Sequence, residues 1–298
     1  MDFVAHHLGE IFALTTAVIW ALAVIFFKKS GEMVHPIGLN LFKNFLAVIL
    51  FVPTVWLFGE TLFYEAPAGD YLLILLSGAL GIGISDTLFF KSLNTLGAGL
   101  IAIVDCMYSP FVILLSFLWL SEILSPGQAL GAMLIVSAVL TSLKEKNSRP
   151  VERRQIILGL FYGVLAMAVM AVGIVMIKPL LDRSPLLWVT VYRLLGGVLV
   201  LLVVLIFHPA RRKIILSIKS PGRWSYTVSS SFLGAYLSMV LWLGGMKFTQ
   251  ASTASALNQM SNVFIFIFAA LLLKEKLTVS RIIGIGLGFA GSLLVTFA

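Results

Sequence analysis

The chain has 298 residues, 60% hydrophobic and only 11% charged, with a mean hydropathy of +1.05. A soluble domain carries roughly 25% charged residues, and no soluble core could absorb this much apolar surface, so the composition excludes a soluble globular protein. The net charge of +8 does not mark a nucleic-acid binder, because the basic residues sit in short loops beside apolar runs, where they act as topology signals.

The opening MDFVAHHLGE has neither a basic n-region nor a small-residue cleavage site, so no cleaved signal peptide is expected. Ten apolar runs follow, each near the ~20 residues that a bilayer requires. They cover 8–27, 37–58, 71–91, 99–120 and 126–143, then 156–177, 186–208, 224–246, 252–273 and 280–297. The links carry breakers: Gly31 and Pro36, Pro67 and Gly69, Pro126 and Gly127, Pro185, Pro209, then Pro221 and Gly222. Every span is expected to be helical, since lipid offers no partner for an open backbone. The long polar stretch KEKNSRPVERR, 144–154, divides the spans five and five. The expected organisation is a first repeat over 1–143, a charged linker over 144–155 and a second repeat over 156–298.

The halves resemble each other. At an offset of 153, Ala98 meets Ala251, Phe111 meets Phe264, Leu120 meets Leu273, Glu122 meets Glu275 and Gly131 meets Gly284. At an offset of 150, Gly9 meets Gly159, Lys28 meets Lys178, Phe42 meets Tyr192 and Lys43 meets Arg193. An odd number of spans per repeat forces the copies into opposite orientations, the inverted-topology arrangement of transporters. The fold expected is an all-α integral membrane protein of ten transmembrane helices, two inverted five-helix repeats around a central cavity. Of 21 lysines and arginines, 16 fall in or at the edges of the loops after spans 1, 3, 5, 7 and 9, and only Lys178, Arg183 and Lys247 lie in the other loops and tails. That bias puts the odd loops in the cytoplasm and both termini outside. Gly284, Gly288 and Ser292 in span 10, and Gly127 and Gly131 in span 5, repeat every four residues, a spacing that lets helices pack closely; these spans read as scaffold.

These residues resemble the drug/metabolite transporter superfamily, EamA type. Its repeat-closing pattern reads here as Ala102, Pro110, Phe111, Leu120, Glu122, Leu124 and Gly131, and in the second copy as Ser255, Val263, Phe264, Leu273, Glu275, Leu277 and Gly284. The second copy lacks the proline. The resemblance implies that spans 1–4 and 6–9 surround a cavity opening alternately to each side, in a secondary transporter that exports amino acids, metabolites or drugs. The best-known members keep both termini in the cytoplasm, against the charge distribution here.

Ionisable residues inside spans cost several kcal/mol unless they face a cavity or a partner. Away from the span ends there are four: Lys43, Asp86, Asp105 and Arg193. By rise per residue, the first three sit roughly 8–10 Å below the odd-loop surface and Arg193 a similar depth from the other. Three readings are open for the first three: a carboxyl that loads and unloads a proton or touches substrate, a static ion pair of Lys43 with either Asp, or water-facing residues without a role. Asp86 and Asp105 align with Met239 and Asn258, which confines acidity to one repeat. Trp20, in mid-span 1, and Tyr108, beside Pro110, are further cavity candidates. So are Asn258, Gln259 and Asn262, of which Asn258 and Asn262 share a helix face. Trp188, Trp224, Tyr71 and Tyr226 read as interfacial belt residues, and Glu122 and Glu275 as acceptors for the amides of the next helix. His6, His7, His35 and His208 lie in loops or at the terminus without metal spacing. No metal site, cofactor or nucleic-acid partner is expected. The expected partners are a small-molecule substrate, the lipid bilayer of the cell membrane and a coupling proton, with the chain as a monomer. There is no H-E-x-x-H, G-x-S-x-G or P-loop. A channel or lipid scramblase, and an intramembrane enzyme using Asp86 and Asp105, are the alternatives.

Overall fold

The structure is a computed structural model and describes residues 7–120, 125–142, 153–220, 222–275 and 278–297. Glu122, Leu124, Leu277 and most of the 144–155 linker lie outside these residues. Among the described residues the ordered elements are all helical. In chain order they are α1 (Leu8–Ser30), α2 (Pro36–Leu57), α3 (Ala68–Gly78), a π-helical segment (Ala79–Ser85), α4 (Asp86–Leu96), α5 (Ala98–Asp105), α6 (Tyr108–Trp119) and α7 (Pro126–Ser142). The second half holds α8 (Arg153–Val175), α9 (Lys178–Arg183), α10 (Leu186–Phe207), α11 (Arg211–Lys219) and α12 (Trp224–Ser231). A second π segment (Phe232–Leu237) follows, then α13 (Ser238–Phe248), α14 (Ala251–Asn258), α15 (Met260–Leu272) and α16 (Val279–Phe297).

Seven helical stretches are long and apolar enough to cross a membrane: 8–30, 36–57, 68–96, 98–119, 154–183, 186–207 and 224–248. Three shorter apolar helical runs cover 126–138, 260–272 and 279–291. Their outward faces are apolar, with Phe45 58%, Trp56 71%, Phe207 82% and Leu271 70% exposed. Such surface belongs in lipid, and the chain is a multi-pass membrane protein.

Packing crosses between the halves. Helix α1 packs on α13 and α15, while α8, its counterpart, packs on α4 and α6. Three serines, one each from α3, the π segment and α4, fasten α8 to the first half. Ser77, Ser85 and Ser92 donate from their hydroxyls to the carbonyls of Gly173, Ala166 (2.8 Å) and Gly159 (2.8 Å). The acceptors fall every seven residues, two turns of α8, but the serines are spaced eight and then seven. The π segment between Ser77 and Ser85 accommodates the extra residue. An equivalent π segment lies 153 residues later, at 232–237. Asn40 Nδ2 satisfies carbonyls in the first segment, donating to Ile82 O (2.8 Å) and Gly83 O (3.1 Å).

Helix ends are tied by matching devices. Lys28 Nζ donates to the carbonyls of Leu93 and Asn94 (both 3.2 Å), closing the C-terminus of α4. Its counterpart Lys178 does the same at the end of α13, through Met246 O (2.7 Å) and Thr249 O (3.4 Å). Glu275 does not cap the next helix as the sequence suggested. Its Oε1 accepts from Ala98 N (2.9 Å) and its Oε2 from Gly99 N (3.0 Å), so it caps α5 in the other half, and Arg281 Nη1 holds it at 3.0 Å. Gly97 turns α4 into α5 at φ 86, where a side chain would be strained and would press on Glu275.

Two of the expected belt residues are corrected. Trp188 is fully buried rather than interfacial, ringed by Tyr64, Tyr71 and Tyr192 at 5.1–5.7 Å. Tyr71 is thereby half-buried within the fold, whereas Trp224 is 49% exposed. The loop after span 7 contains α11, held down by buried Ile214 against Ile37 and Leu201. In α16, buried Gly291 makes a close contact, opposite the Gly131 carbonyl of α7 (2.6 Å from where a Cβ would stand).

Candidate functional site

A cavity of about 80 Å3 lies among the middles of these helices. That space holds a few waters and is well below the ~300–1,000 Å3 of pockets that enclose drug-sized ligands. Its lining comes in pairs of equivalent positions from the two halves: Trp20 with Met170, Lys43 with Arg193, Asp86 with Met239, Phe89 with Trp242 and Asp105 with Asn258. Tyr108, Thr16 and Ser238 also face it. Both π segments lead into the cavity, ending immediately before Asp86 and Ser238. Helical bonding is interrupted there too. Between α5 and α6 the break falls at Cys106 and Met107, and between α14 and α15 at Gln259, the position equivalent to Cys106. Asp105 and Asn258 are the last residues before those breaks. Interrupted helices at mid-membrane expose backbone and side-chain polar groups where a ligand can reach them.

The structure places Lys43, Asp86, Asp105, Arg193, Trp20, Tyr108 and Asn258 on this cavity. Lys43 Nζ meets Asp86 Oδ2 at 2.6 Å and Asn44 Oδ1 at 3.2 Å, with both ionic side chains almost wholly buried. Lys43 pairs with Asp86 and not with Asp105. The Asp105 carboxylate has no hydrogen-bond or ion-pair partner among the described residues.

Arg193 corrects the depth estimate that set it apart. Lys43 and Arg193 are each the eighth residue of a 22-residue helix. Each therefore sits about 5–6 Å short of the midpoint of a ~33 Å helix, which a long side chain spans. Arg193 is fully buried, its Cζ lies 5.3 Å from the Trp242 ring centroid, and none of its three nitrogens has a hydrogen-bond partner. Its position is fixed by backbone contact. Gly78 and Gly196 let α3 and α10 cross closely; a Cβ on Gly78 would run into the Arg193 carbonyl and lie 2.8 Å from its Cα. Asn258 Oδ1 is likewise buried without a partner, and Tyr108 Oη is buried beside the Trp242 indole.

Gln259 and Asn262 are not part of the lining. The break at Gln259 separates Asn258 from Asn262 although they are four apart. Asn262 Nδ2 instead donates to Gln259 Oε1 (2.5 Å) and Cys106 Sγ (3.4 Å). Sequence reasoning missed Trp242, Phe89, Met170 and Met239. The repeat offers the signal: Met170 and Trp242 are the counterparts of Trp20 and Phe89. Among the described residues no group of three or more His, Cys, Asp or Glu could hold a metal.

The profile of the EamA-like transporter family matches residues 7–143 and again 157–297. A protein of Archaeoglobus fulgidus described as an uncharacterized transporter is 26% identical over 275 residues, 92% of each chain. A second, from Methanothermobacter thermautotrophicus, is 22% identical across 97% of this chain and 84% of its own. Protein PecM of Dickeya dadantii is 25% identical across 77% of this chain and 75% of its own. A solved crystal structure aligns with a TM-score of 0.70 at 15% identity, over 97% of this chain and 96% of that one, a likeness of fold. Matched in both halves and along nearly its whole length, the chain belongs to the EamA-like transporter family.

Proposed function

We propose that this protein is a secondary transporter of the cell membrane, a monomer that exports a small metabolite, amino acid or drug by alternating access through the central cavity. The three shorter apolar helices complete ten spans, arranged as two inverted repeats, 1–143 and 156–298, about the 144–155 linker. The observation that carries the reading is the pairing of equivalent positions around one cavity, beside helix breaks that recur at equivalent points. A site on the axis relating two repeats can be exposed to one side or the other by rocking one repeat against its twin.

Proton coupling is assigned to Asp105 in preference to Asp86. Asp86 is already paired with Lys43 at 2.6 Å, whereas Asp105 faces the cavity alone. A carboxylate in that setting can exchange a proton for a substrate group. A thermal-shift screen over amino acids, sugars, nucleosides and cationic drugs identifies the ligand, which is then loaded into proteoliposomes. Saturable exchange between internal and external ligand is the expected result; a non-saturating leak overturns the carrier reading in favour of a channel. Asp105→Asn should keep exchange but lose accumulation driven by a pH gradient, because an amide fills the volume without titrating. Gradient-driven accumulation that survives the substitution retires the proton role.

A further inference from the structure

The cavity contains four ionisable groups, but only two of them satisfy each other. Lys43 and Asp86 are joined at 2.6 Å. Arg193 keeps a complete, fully buried guanidinium with no acceptor on Nε, Nη1 or Nη2. Asp105 faces the same space with no donor among the described residues. The two do not pair with one another: no ion pair within 4.0 Å joins them among the described residues, and they come from different halves of the chain. Beside them stand Tyr108 Oη, next to the Trp242 indole, and an acceptor, Asn258 Oδ1, which is buried and unpartnered.

A buried guanidinium with no acceptor on its N–H groups is costly even with the Asp86 charge nearby, and a fork of five N–H donors matches the two oxygens of a carboxylate. A purely anionic ligand would satisfy Arg193 and leave its charge facing Asp105. A purely cationic ligand would do the reverse. We propose that the cavity binds a small zwitterion, with its carboxylate on the guanidinium of Arg193, its ammonium on Asp105 and its carbon chain between Trp20, Trp242 and Met239. Tyr108 Oη donates to the carboxylate and Asn258 Oδ1 accepts from the ammonium. The polarity is fixed by the fold, with the anionic end on the second repeat and the cationic end on the first. This assignment rests on the transporter reading of the same cavity and gives it a mechanism: ammonium and proton compete for one carboxylate, so that binding of one releases the other.

The test titrates the purified protein with the ω-amino acids from glycine to ε-aminocaproate, each beside the carboxylate and the amine of equal chain length (δ-aminovalerate with valerate and pentylamine). Calorimetry and quenching of tryptophan fluorescence give the affinities. At least one ω-amino acid should bind about tenfold or more tightly than either singly charged analogue. Arg193→Gln should reduce its affinity to that of the amine, and Asp105→Asn to that of the carboxylate. Arg193→Lys, which keeps the charge and loses the fork, should fall between and serves if the glutamine variant does not fold. The proposal is overturned if no ω-amino acid outbinds its analogues, if the folded protein binds none of the probes, or if both variants keep wild-type affinities. Proteoliposome flux separates the two ideas. Binding with the predicted selectivity but no saturable flux defeats the transporter reading alone, whereas saturable flux inhibited equally by all three probe types defeats the zwitterion alone.

Discussion

The buried pair Lys43–Asp86 gives the most quantitative test of the structure. Its contact is 2.6 Å, and the side chains are 2% and 7% exposed. Lys43→Met strands the Asp86 carboxylate, and Asp86→Leu leaves the Lys43 ammonium with Asn44 Oδ1 as its remaining acceptor. Breaking a buried pair costs about 3–5 kcal/mol, because one charge stays desolvated without its partner. The adjoining cavity of about 80 Å3 lets a few waters reach the stranded group, so the lower end, about 3 kcal/mol for each single variant, is expected. The double variant removes both charges at similar volume and should lie within about 1 kcal/mol of wild type. The assay is unfolding by sodium dodecyl sulfate in mixed micelles, followed by circular dichroism and analysed as a double-mutant cycle. A coupling energy of at least about 3 kcal/mol is expected. Single variants that cost under about 1 kcal/mol each and combine additively would refute the buried pair.

Four other outcomes follow from the packing and the charges. Gly78→Ala should lower stability by about 1–3 kcal/mol or abolish folding, since its Cβ meets the Arg193 backbone, which cannot yield as a side chain would; wild-type yield and unfolding midpoint would contradict the close crossing. Glu275→Ala should cost about 1–2 kcal/mol in the same assay by uncapping α5 and releasing Arg281, and a neutral result would count against the cap. His35, just outside the membrane at the start of α2, has its pKa lowered by burial, then by His208 and Lys91. The native state therefore binds the proton more weakly than the unfolded chain, and stability should fall as pH drops below the ordinary histidine value of 6.5. His35→Asn, whose side-chain oxygen can replace His35 Nδ1 as the acceptor for Ile37 N, should flatten the slope of melting temperature against pH between about 5 and 7; an unchanged slope would show that His35 is not its source. In a Cys106→Ser background, a cysteine introduced at position 147 should resist a membrane-impermeant reagent added to intact cells, and its labelling would reverse the orientation drawn from the charge bias.

Sequence alone determined the class of this protein and its internal repetition. Hydropathy is a property of each residue, so the apolar runs, their helical state and the polar 144–154 divide could be read without a structure, as could the four charges inside spans. The matched Lys28 and Lys178 were visible as sequence, but only tertiary packing revealed that both close the C-terminus of another helix in their own half. The same holds for the site. Depth along a helix, taken from its nearer end, put Arg193 on the far side from Lys43. Each lies within reach of the middle of its helix, and both line the same cavity, so Arg193 stands with the rest. Which aspartate takes Lys43 depends on rotation about helix axes, and there the π segment at 79–85 intervenes: its extra residue keeps Ser77, Ser85 and Ser92 on one face toward α8 and sets where Asp86 points. Helical periodicity assumes 3.6 residues per turn and cannot foresee that shift. Nor can it foresee the break at Gln259 that parts Asn262 from Asn258, or the burial of Trp188 among three tyrosines. Those outcomes depend on contacts between segments distant in sequence, and only the assembled helices fix them.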